Sequence, residues 1–483
     1  MARTSRGVAW RLALTVVAVY TLFFTPRVSR ETFLATALAE RATARVDPYL
    51  GLHPDIVETP GRGVYIIGNP GASMMAAVPY AAVRPVLERV YAAFPTLVTP
   101  RLPVAYDDGR QGRAQLVNET RARGLDVRLG IAAIVMHLGV TVPLAVVGVV
   151  LVYFFLLDRI GRPRDAQWFA LLYAFGTPML FGSAYLNRHV LVAHALCFAF
   201  LALAWRRGDG PTATPPSEAW RPALAGFFLG FALLCDEAAL PLVLVAAVWT
   251  CVTRAQRTGA AAAVQAAATL AAGAAWPLGA LLAYQAAATG HPFTPVVASP
   301  GVMQLPIASL LWRNLFDPAF GLFVLSPWLG LALAAPWRAS KRAMIRRDEL
   351  WLLLSASAVL YLSRSATAPV DAQASTGVGE LMPSVPLLFL ATLPVLRGAN
   401  KRLAWTLVTL SVVIGWVVAM TREPVPDGFV RLVRHGFDLP WMTVLSRAGG
   451  AYLPDLPRRG GPTLLYAVLA VGLWRLWKKR SGE

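Results

Sequence analysis

Charge is scarce in this chain. Of its 483 residues only 15% are Asp, Glu, Lys or Arg, against about a quarter in ordinary soluble domains. Cysteine is scarcer still. Cys197, Cys235 and Cys251 fall in or beside apolar segments with no metal-ligand spacing, which argues against a disulfide framework or a zinc site and for small apolar core residues. The chain also lacks a fixed-period repeat, a coiled-coil pattern and any soluble domain beyond its first long loop. What it has is apolar surface: 56% hydrophobic residues and a mean hydropathy of +0.53. That composition predicts an all-α polytopic membrane protein. The net charge of +19 comes largely from arginine. In a soluble protein it would suggest nucleic acid. Here the charge sits at the ends of apolar runs, so anionic membrane lipids are the expected partners, and no nucleic acid.

Residues 1–24 read as a first transmembrane helix, with three arginines followed by an apolar run. Phe-Phe-Thr-Pro-Arg follows in place of a small-residue cleavage site, so the helix is expected to stay uncleaved. Further apolar runs centre on 130–157, 166–184, 189–205, 222–235, 238–253, 262–287, 319–336, 350–363, 381–396, 403–420 and 463–477. At about 20 residues per crossing, the runs predict about 12 spans, with 11 to 13 allowed by soft boundaries. The loops DRIGRPRD (158–165), 205–221, TRAQR (253–257), WRASKRAMIRRDE (337–349), RGANKR (397–402) and the tail are basic. The alternate loops are longer and less basic. Both termini are therefore expected in the cytoplasm, in the bacterial inner (cytoplasmic) membrane.

The same alternation puts a long polar interruption outside: extracytoplasmic loop 1, residues 25–128. Residues 129–421 then read as transmembrane helices 2–11 with short loops. A last extracytoplasmic loop follows at 422–462, and a final helix with a basic tail at 463–483. Loop 1 is expected to contain short juxtamembrane helices. Within it, 46–80 gathers Asp47, Asp55, Glu58, Arg62, Tyr65 and Asn69 among many prolines and glycines. That density argues against a long regular helix there and for a folded loop, and long loops in compact proteins are usually functional or disordered. Its polar end, DDGRQGRAQLVNETRARGLDVR, reads as a solvated helix of mixed charge.

Several segments resemble the polytopic GT-C glycosyltransferases, in particular bacterial protein mannosyltransferase/aminoarabinose transferase-like proteins. The matching residues are RVDPY at 45–49, Asp55, Gly63-Val64-Tyr65, Asn69-Pro70-Gly71-Ala72-Ser73 and Pro79-Tyr80. Farther on they are Thr177-Pro178 with His194-Ala195-Leu196, GFALLCDEAAL at 230–240, Phe320-Gly321-Leu322 with Ser326-Pro327-Trp328, and Gly377-Val378-Gly379-Glu380-Leu381. The motifs are loose, and two family cations are absent. Ile67-Gly68-Asn69 stands where the family has a lysine before Ala-Pro-Gly, and Glu380 stands where it has the arginine of Gly-Pro-Arg. The acidic pair common after the first helix is reduced to Arg30-Glu31.

The resemblance implies transfer of a sugar from a polyprenyl-phosphate donor to an extracytoplasmic lipid, glycan or protein acceptor, with inversion. Such a reaction needs a carboxylate to take the acceptor proton and positive charge to stabilise the leaving phosphate. Asp55 and Asp47 are the candidate bases, although Asp47 ahead of Pro48 equally fits a backbone turn. Glu58, Arg62, Tyr65, Asn69, Arg188, His189, His194, Asp236, Glu237 and Glu380 are candidate substrate-binding residues. Arginine's planar fork suits Arg188 to phosphate oxygens, or equally to headgroups. His189 and His194 stand five apart, which does not align two ligands on one helix face. No cofactor is fixed by the sequence, and a divalent metal stays an open alternative. Asp236-Glu237 lies between apolar segments, where adjacent acids need partners or a function, unless they form a hairpin corner in water. Asp371 reads as a solvated loop residue, His137 as a core histidine, and Trp312, Phe316, Trp328 and Trp441 as interfacial aromatics. The competing readings are a multi-pass lipid or small-molecule transporter, which would show paired broken helices in two related halves, and a non-catalytic relative serving cell-envelope assembly. Nothing in the residues sets an oligomeric state.

Overall fold

The structure is a computed structural model that describes residues 2–107, 111–205, 220–294, 307–338, 344–366, 378–398, 400–448, 452 and 460–478. The basic segments expected at 206–219, 339–343 and 479–483, together with Asp371 and Gly377, lie outside the described residues.

The chain is a helical multi-pass membrane protein. Helix α1 (Ala2–Leu22) leads into the polar region, which holds α2 (Arg30–Arg41), a β-hairpin of β1 (Ile56–Thr59) and β2 (Gly63–Ile66), α3 (Gly71–Ala93) and α4 (Gln111–Ala122). The hairpin pairs antiparallel, Ile56 opposite Ile66 and Thr59 opposite Gly63. Helix α3 corrects one expectation. It starts inside the Pro/Gly-rich stretch and runs 23 residues through Pro79 and Pro85. Pro79 lies against Gly139, where a Cβ would fall 2.4 Å from the proline's own Cβ. Close docking there offsets the hydrogen bond that a helical proline forgoes.

Helix α5 (Asp126–Met136) continues through a π-type turn (His137–Thr141) into α6 (Val142–Ile160), giving one apolar unit of 35 residues. The expected run at 166–184 breaks at Gly176-Thr177-Pro178 into α7 (Pro163–Phe175) and α8 (Met179–Gly182). Helix α9 (Arg188–Ala204) is buried along nearly all its length. A helix that is apolar all round belongs at the centre of a bundle. It packs against α10 (Trp220–Cys235), which in turn carries α12 (Ala260–Thr289), with α11 (Leu240–Thr258) beside α12. After α13 (Ala308–Phe316), the run at 319–336 is broken into α14 (Leu322–Leu325), a 3-10 segment and α15 (Ala335–Arg338). The chain closes with α16 (Arg347–Ser365), α17 (Val385–Gly398), α18 (Lys401–Thr421), α19 (Val425–His435), α20 (Pro440–Arg447) and α21 (Gly461–Trp477).

Among the described residues five helical segments are long and apolar enough to cross a membrane: Asp126–Ile160, Glu237–Thr258, Ala260–Thr289, Gly379–Leu396 and Lys401–Thr421. Arg188–Ala204 and Trp220–Cys235 are shorter apolar helices. The outer face of α11 exposes Leu240, Leu244, Val248 and Val252 at four-residue spacing. That is a stripe suited to lipid. Trp328 is a second correction. It is fully buried and its indole N–H donates to the Gly176 carbonyl at 2.7 Å, so it is a core residue and not an interfacial one.

The two ends of the bundle are held by different charges. At one end Arg159 meets Glu349 at 2.9 Å and Arg257 meets Asp348 at 2.7 Å. Three of the loops expected on one side (158–165, 253–257 and 337–349) thus share ion pairs. At the other end the hairpin region rests on its own small core, built on Phe33, Val46, Tyr49, Val64, Tyr65 and Leu129.

Candidate functional site

Loop 1 is fastened to the helix ends by three contacts. The Tyr284 hydroxyl of α12 donates to the Ile66 carbonyl at 2.8 Å, and its ring meets Tyr65 edge-on at 6.4 Å. The Asn69 amide donates to the Leu233 carbonyl of α10 at 2.5 Å. Gly71 opens α3 directly against the end of α10, where a Cβ would fall 2.8 Å from the Leu234 carbonyl. Only glycine permits that approach. Tyr65 and Asn69 are therefore docking residues. Arg62 is exposed and lies over Gly290, past the C-terminus of α12, where a cation complements the helix dipole. Glu58 is exposed on β1.

Docked this way, the hairpin closes a chain of ion pairs. Arg30 Nη1 is 3.0 Å from Asp55 Oδ2, and Arg30 Nε donates to Glu31 at 3.2 Å. Arg188 spans the next step, with Nη1 3.7 Å from Glu31 and Nε 3.1 Å from Asp236. Asp236 also lies 3.0 Å from His189 Nδ1 and accepts from Arg364 Nη2 at 3.4 Å. Arg364 Nη1 continues to Glu380 at 3.4 Å. Five helix ends and the hairpin are linked by this one network. Glu237, next to Asp236, is solvent-accessible and in no ion pair among the described residues.

The electrostatics follow from burial and partners. Burial by itself pushes Asp236 up, but His189, Arg364 and the Ala238 N–H outweigh it and hold the carboxyl below the ordinary carboxylate range. Burial pulls Arg30 down, yet Glu31 and Asp55 more than restore it, and the guanidinium stays firmly charged. His53 is pushed down by burial, against the pull of Asp55 and Glu31. Its Nδ1 accepts the Asp55 backbone N–H at 3.1 Å, so that nitrogen is unprotonated, and the 4.0 Å approach to the Asp55 carboxylate is a contact of a neutral ring.

Of the residues singled out in the sequence, Asp55, Arg188, His189, Asp236, Glu237 and Glu380 come together here. Asp47 does not. It opens the turn at 47–49 and ties it to β2, accepting from the Val64 N–H at 3.1 Å and pairing with exposed Arg45 at 3.1 Å. Arg45 holds its carboxyl low. His194 also stands apart: its ring is buried against Gly148 and Phe198, with neither nitrogen hydrogen-bonded among the described residues. His189 and His194 thus share no site. The hairpin-corner reading of Asp236 is overturned, since the residue is 2% exposed. Arg30, Glu31, His53 and Arg364 were not singled out. The available signal was Arg30-Glu31 at the start of the first helix after α1, and an arginine closing an apolar run at 364. Among the described residues no group of three His, Cys, Asp or Glu is placed to hold a metal ion.

No protein-family model matches the chain, and no curated protein does. Among solved structures, the crystal structure of ArnT from Cupriavidus metallidurans in the apo state is similar. The TM-score is 0.50 at 14% identity, covering 99% of this chain and 76% of that one. At that identity the likeness is one of fold. The chain has a GT-C-like fold with divergent sequence.

Proposed function

We propose that the chain is a membrane glycosyltransferase that moves a sugar from a polyprenyl-phosphate donor to an extracytoplasmic lipid, glycan or protein acceptor, with inversion. The observation that carries this reading is the charge network from Asp55 to Glu380, buried at Arg30, Glu31 and Asp236 and open at its two ends, assembled where loop 1 seats on the helix ends. Charges are expensive among apolar helices and are retained there chiefly for function. The acceptor hydroxyl attacks the anomeric carbon as the bond from that carbon to the phosphate oxygen breaks. The electron pair leaves on the phosphate, and a carboxylate takes the hydroxyl proton. Glu237 suits the last role best, because it is exposed and makes no ion pair among the described residues, Arg30 and Arg364 acting on it only from farther off. Asp55 is second, being half-buried and held by Arg30 through one oxygen. Asp236 is too firmly paired and serves to position Arg188, His189 and Arg364. Alternation of basic loops supports a bacterial inner-membrane location with the network on the extracytoplasmic side.

The reading it competes with is a non-catalytic relative in cell-envelope assembly, favoured by Asn69 and Glu380 standing where the resemblance expects cations. Membranes carrying the wild type, Glu237→Gln or Asp55→Asn, supplied with a panel of radiolabelled polyprenyl-phosphate sugars, separate the two. Transfer by the wild type that falls at least a hundredfold in Glu237→Gln supports the proposal. No transfer from any donor supports the relative without activity.

A further inference from the structure

The charge network is rich in acid. It brings Glu31, Asp55, Asp236, Glu237 and Glu380 around Arg30, Arg188 and Arg364, five carboxyl groups to three guanidiniums. Beside it lies a region of opposite character. Residues 25–31 and 184–189 run past each other, joined by the Thr25 N–H donating to the Ala184 carbonyl at 2.7 Å. One side of this crossing sends Arg30 and Arg188 to the acids. The other sends Arg27 and Tyr185 towards Arg422, the residue that ends α18.

Arg27 lies 4.9 Å from the Tyr185 ring centre and Arg422 lies 5.7 Å from the same centre. Arg422 Nη1 donates to the Phe181 carbonyl at 2.5 Å, and its Nε donates to Thr25 Oγ1 at 3.3 Å. Neither arginine meets a carboxylate among the described residues. The nearest acid in sequence, Glu423, is turned away to Arg447 at 2.5 Å and Arg431 at 3.8 Å. Burial pulls Arg422 down to about 10, and Arg27 and Arg113 push the same way while Tyr185 opposes them. Arg422 also adopts a left-handed φ of +59°, a conformation a non-glycine residue holds only when its surroundings enforce it. Two guanidiniums gathered on one ring without a counter-charge are costly, and an anion between them would remove that cost.

We infer that Arg27, Arg422 and Tyr185 form a site for the phosphate group of a membrane lipid. Both guanidiniums keep unused N–H donors there. The Tyr185 hydroxyl accepts from Arg27 Nη1 and from the Asn187 amide, each at 3.4 Å, so its own proton is left to donate. Three residues before Arg27, Phe24 stacks on Trp441 at 5.9 Å, an aromatic pair of the kind that sits at headgroup depth. The site adds a ligand to the function proposed above but rests on these side chains alone, and it stands whether or not a sugar is transferred.

Binding decides it. The full chain in detergent is titrated with phosphatidylglycerol, a polyprenyl phosphate, inorganic phosphate and phosphate-free diacylglycerol, with first-lipid occupancy read by native mass spectrometry. The variants are Arg27→Gln, Arg422→Gln and Arg422→Lys. Phosphatidylglycerol and polyprenyl phosphate are expected to bind at least tenfold tighter than diacylglycerol. Each Gln variant loses at least tenfold, and Arg422→Lys loses less. Competition by inorganic phosphate assigns the affinity to the phosphate group itself, and its failure to compete assigns it to headgroup plus tail; both uphold the site. Wild type with no preference over diacylglycerol, or Arg27→Gln with wild-type affinity, overturns it. Arg27 is half-buried and makes one side-chain hydrogen bond among the described residues, to Tyr185 at 3.4 Å, so its replacement is expected to leave the fold intact and that arm does not depend on Arg422 variants folding.

Discussion

Arg188 Nε lies 3.1 Å from Asp236 Oδ2, across 48 positions of sequence. The contact ties the first turn of α9 to the end of α10, so the two helices at the centre of the bundle are locked together by charge at the loop 1 end. His189 and Arg364 converge on the same carboxylate.

Replacing Asp236 by Asn leaves Arg188 and Arg364 around a neutral amide. Breaking a buried pair from one side costs about 3–5 kcal/mol. Asp236→Asn should therefore lower the thermal midpoint in detergent sharply, and Arg364→Gln should cost less because Arg188 and His189 still hold the acid. Equal midpoints for Asp236→Asn and wild type would show that the network does not hold the fold.

Asp236 also predicts how stability depends on pH. Its folded value is depressed from 3.8 to about 2, so its contribution is complete above about pH 4 and is lost as pH falls towards about 2. The contribution is about 2 kcal/mol. Between pH 5 and pH 3 (about) the wild type should lose more stability than Asp236→Asn, as followed by chemical denaturation. Parallel losses in the two proteins would contradict the assignment.

Asp47 and Asp55 should separate. Asp47→Asn removes an exposed pair with Arg45 and weakens one turn, a cost of about 1 kcal/mol or less, and sugar transfer should stay within about threefold of wild type. Asp55→Asn takes away the partner of Arg30 and should cut transfer at least tenfold. The readout is initial transfer rate beside thermal midpoint. A large loss of rate in Asp47→Asn at unchanged stability would return that residue to the site.

His194→Leu exchanges two buried, unpartnered ring nitrogens for an apolar side chain of similar size. Removing unsatisfied polar atoms is neutral or stabilising by about 1 kcal/mol. Transfer should be unaffected. Loss of transfer in a stable His194→Leu protein would give the ring a role that its surroundings do not suggest.

Gly71→Ala would drive a methyl into the Leu234 carbonyl. Overpacking of this kind costs about 1–3 kcal/mol, concentrated where loop 1 seats on α10. Limited proteolysis should cut 46–80 faster in this variant than in wild type. Unchanged protection would show that the loop is held elsewhere.

Much of the fold was legible, because bilayer-length apolar runs and alternating basic loops are properties of the one-dimensional pattern. The broken run at 319–336 was not, since its 3-10 segment is set by Trp328 packing inside the bundle. Helix α3 was missed because proline penalties were read without the glycine on α5–α6 that accommodates Pro79. At the site, acids flanked by apolar residues drew attention to Asp236 and Glu380. Arg30, Glu31 and Arg364 carry only a weak local signal, a charged pair opening one helix and an arginine closing an apolar run. Their roles arise from pairings such as Arg364 with Asp236, 128 positions apart, which no local pattern contains.

The π-type turn His137–Thr141 sets the relation between the two ends of one long rod. Above it Leu129 belongs to the small core under the hairpin, and below it Ala145, Val149 and Val152 pack into the bundle. One surplus residue in the winding corresponds to about 100° of rotation at 3.6 residues per turn. Excising a single residue there would put the upper and lower faces out of phase, so that seating one end would twist the other out of its socket.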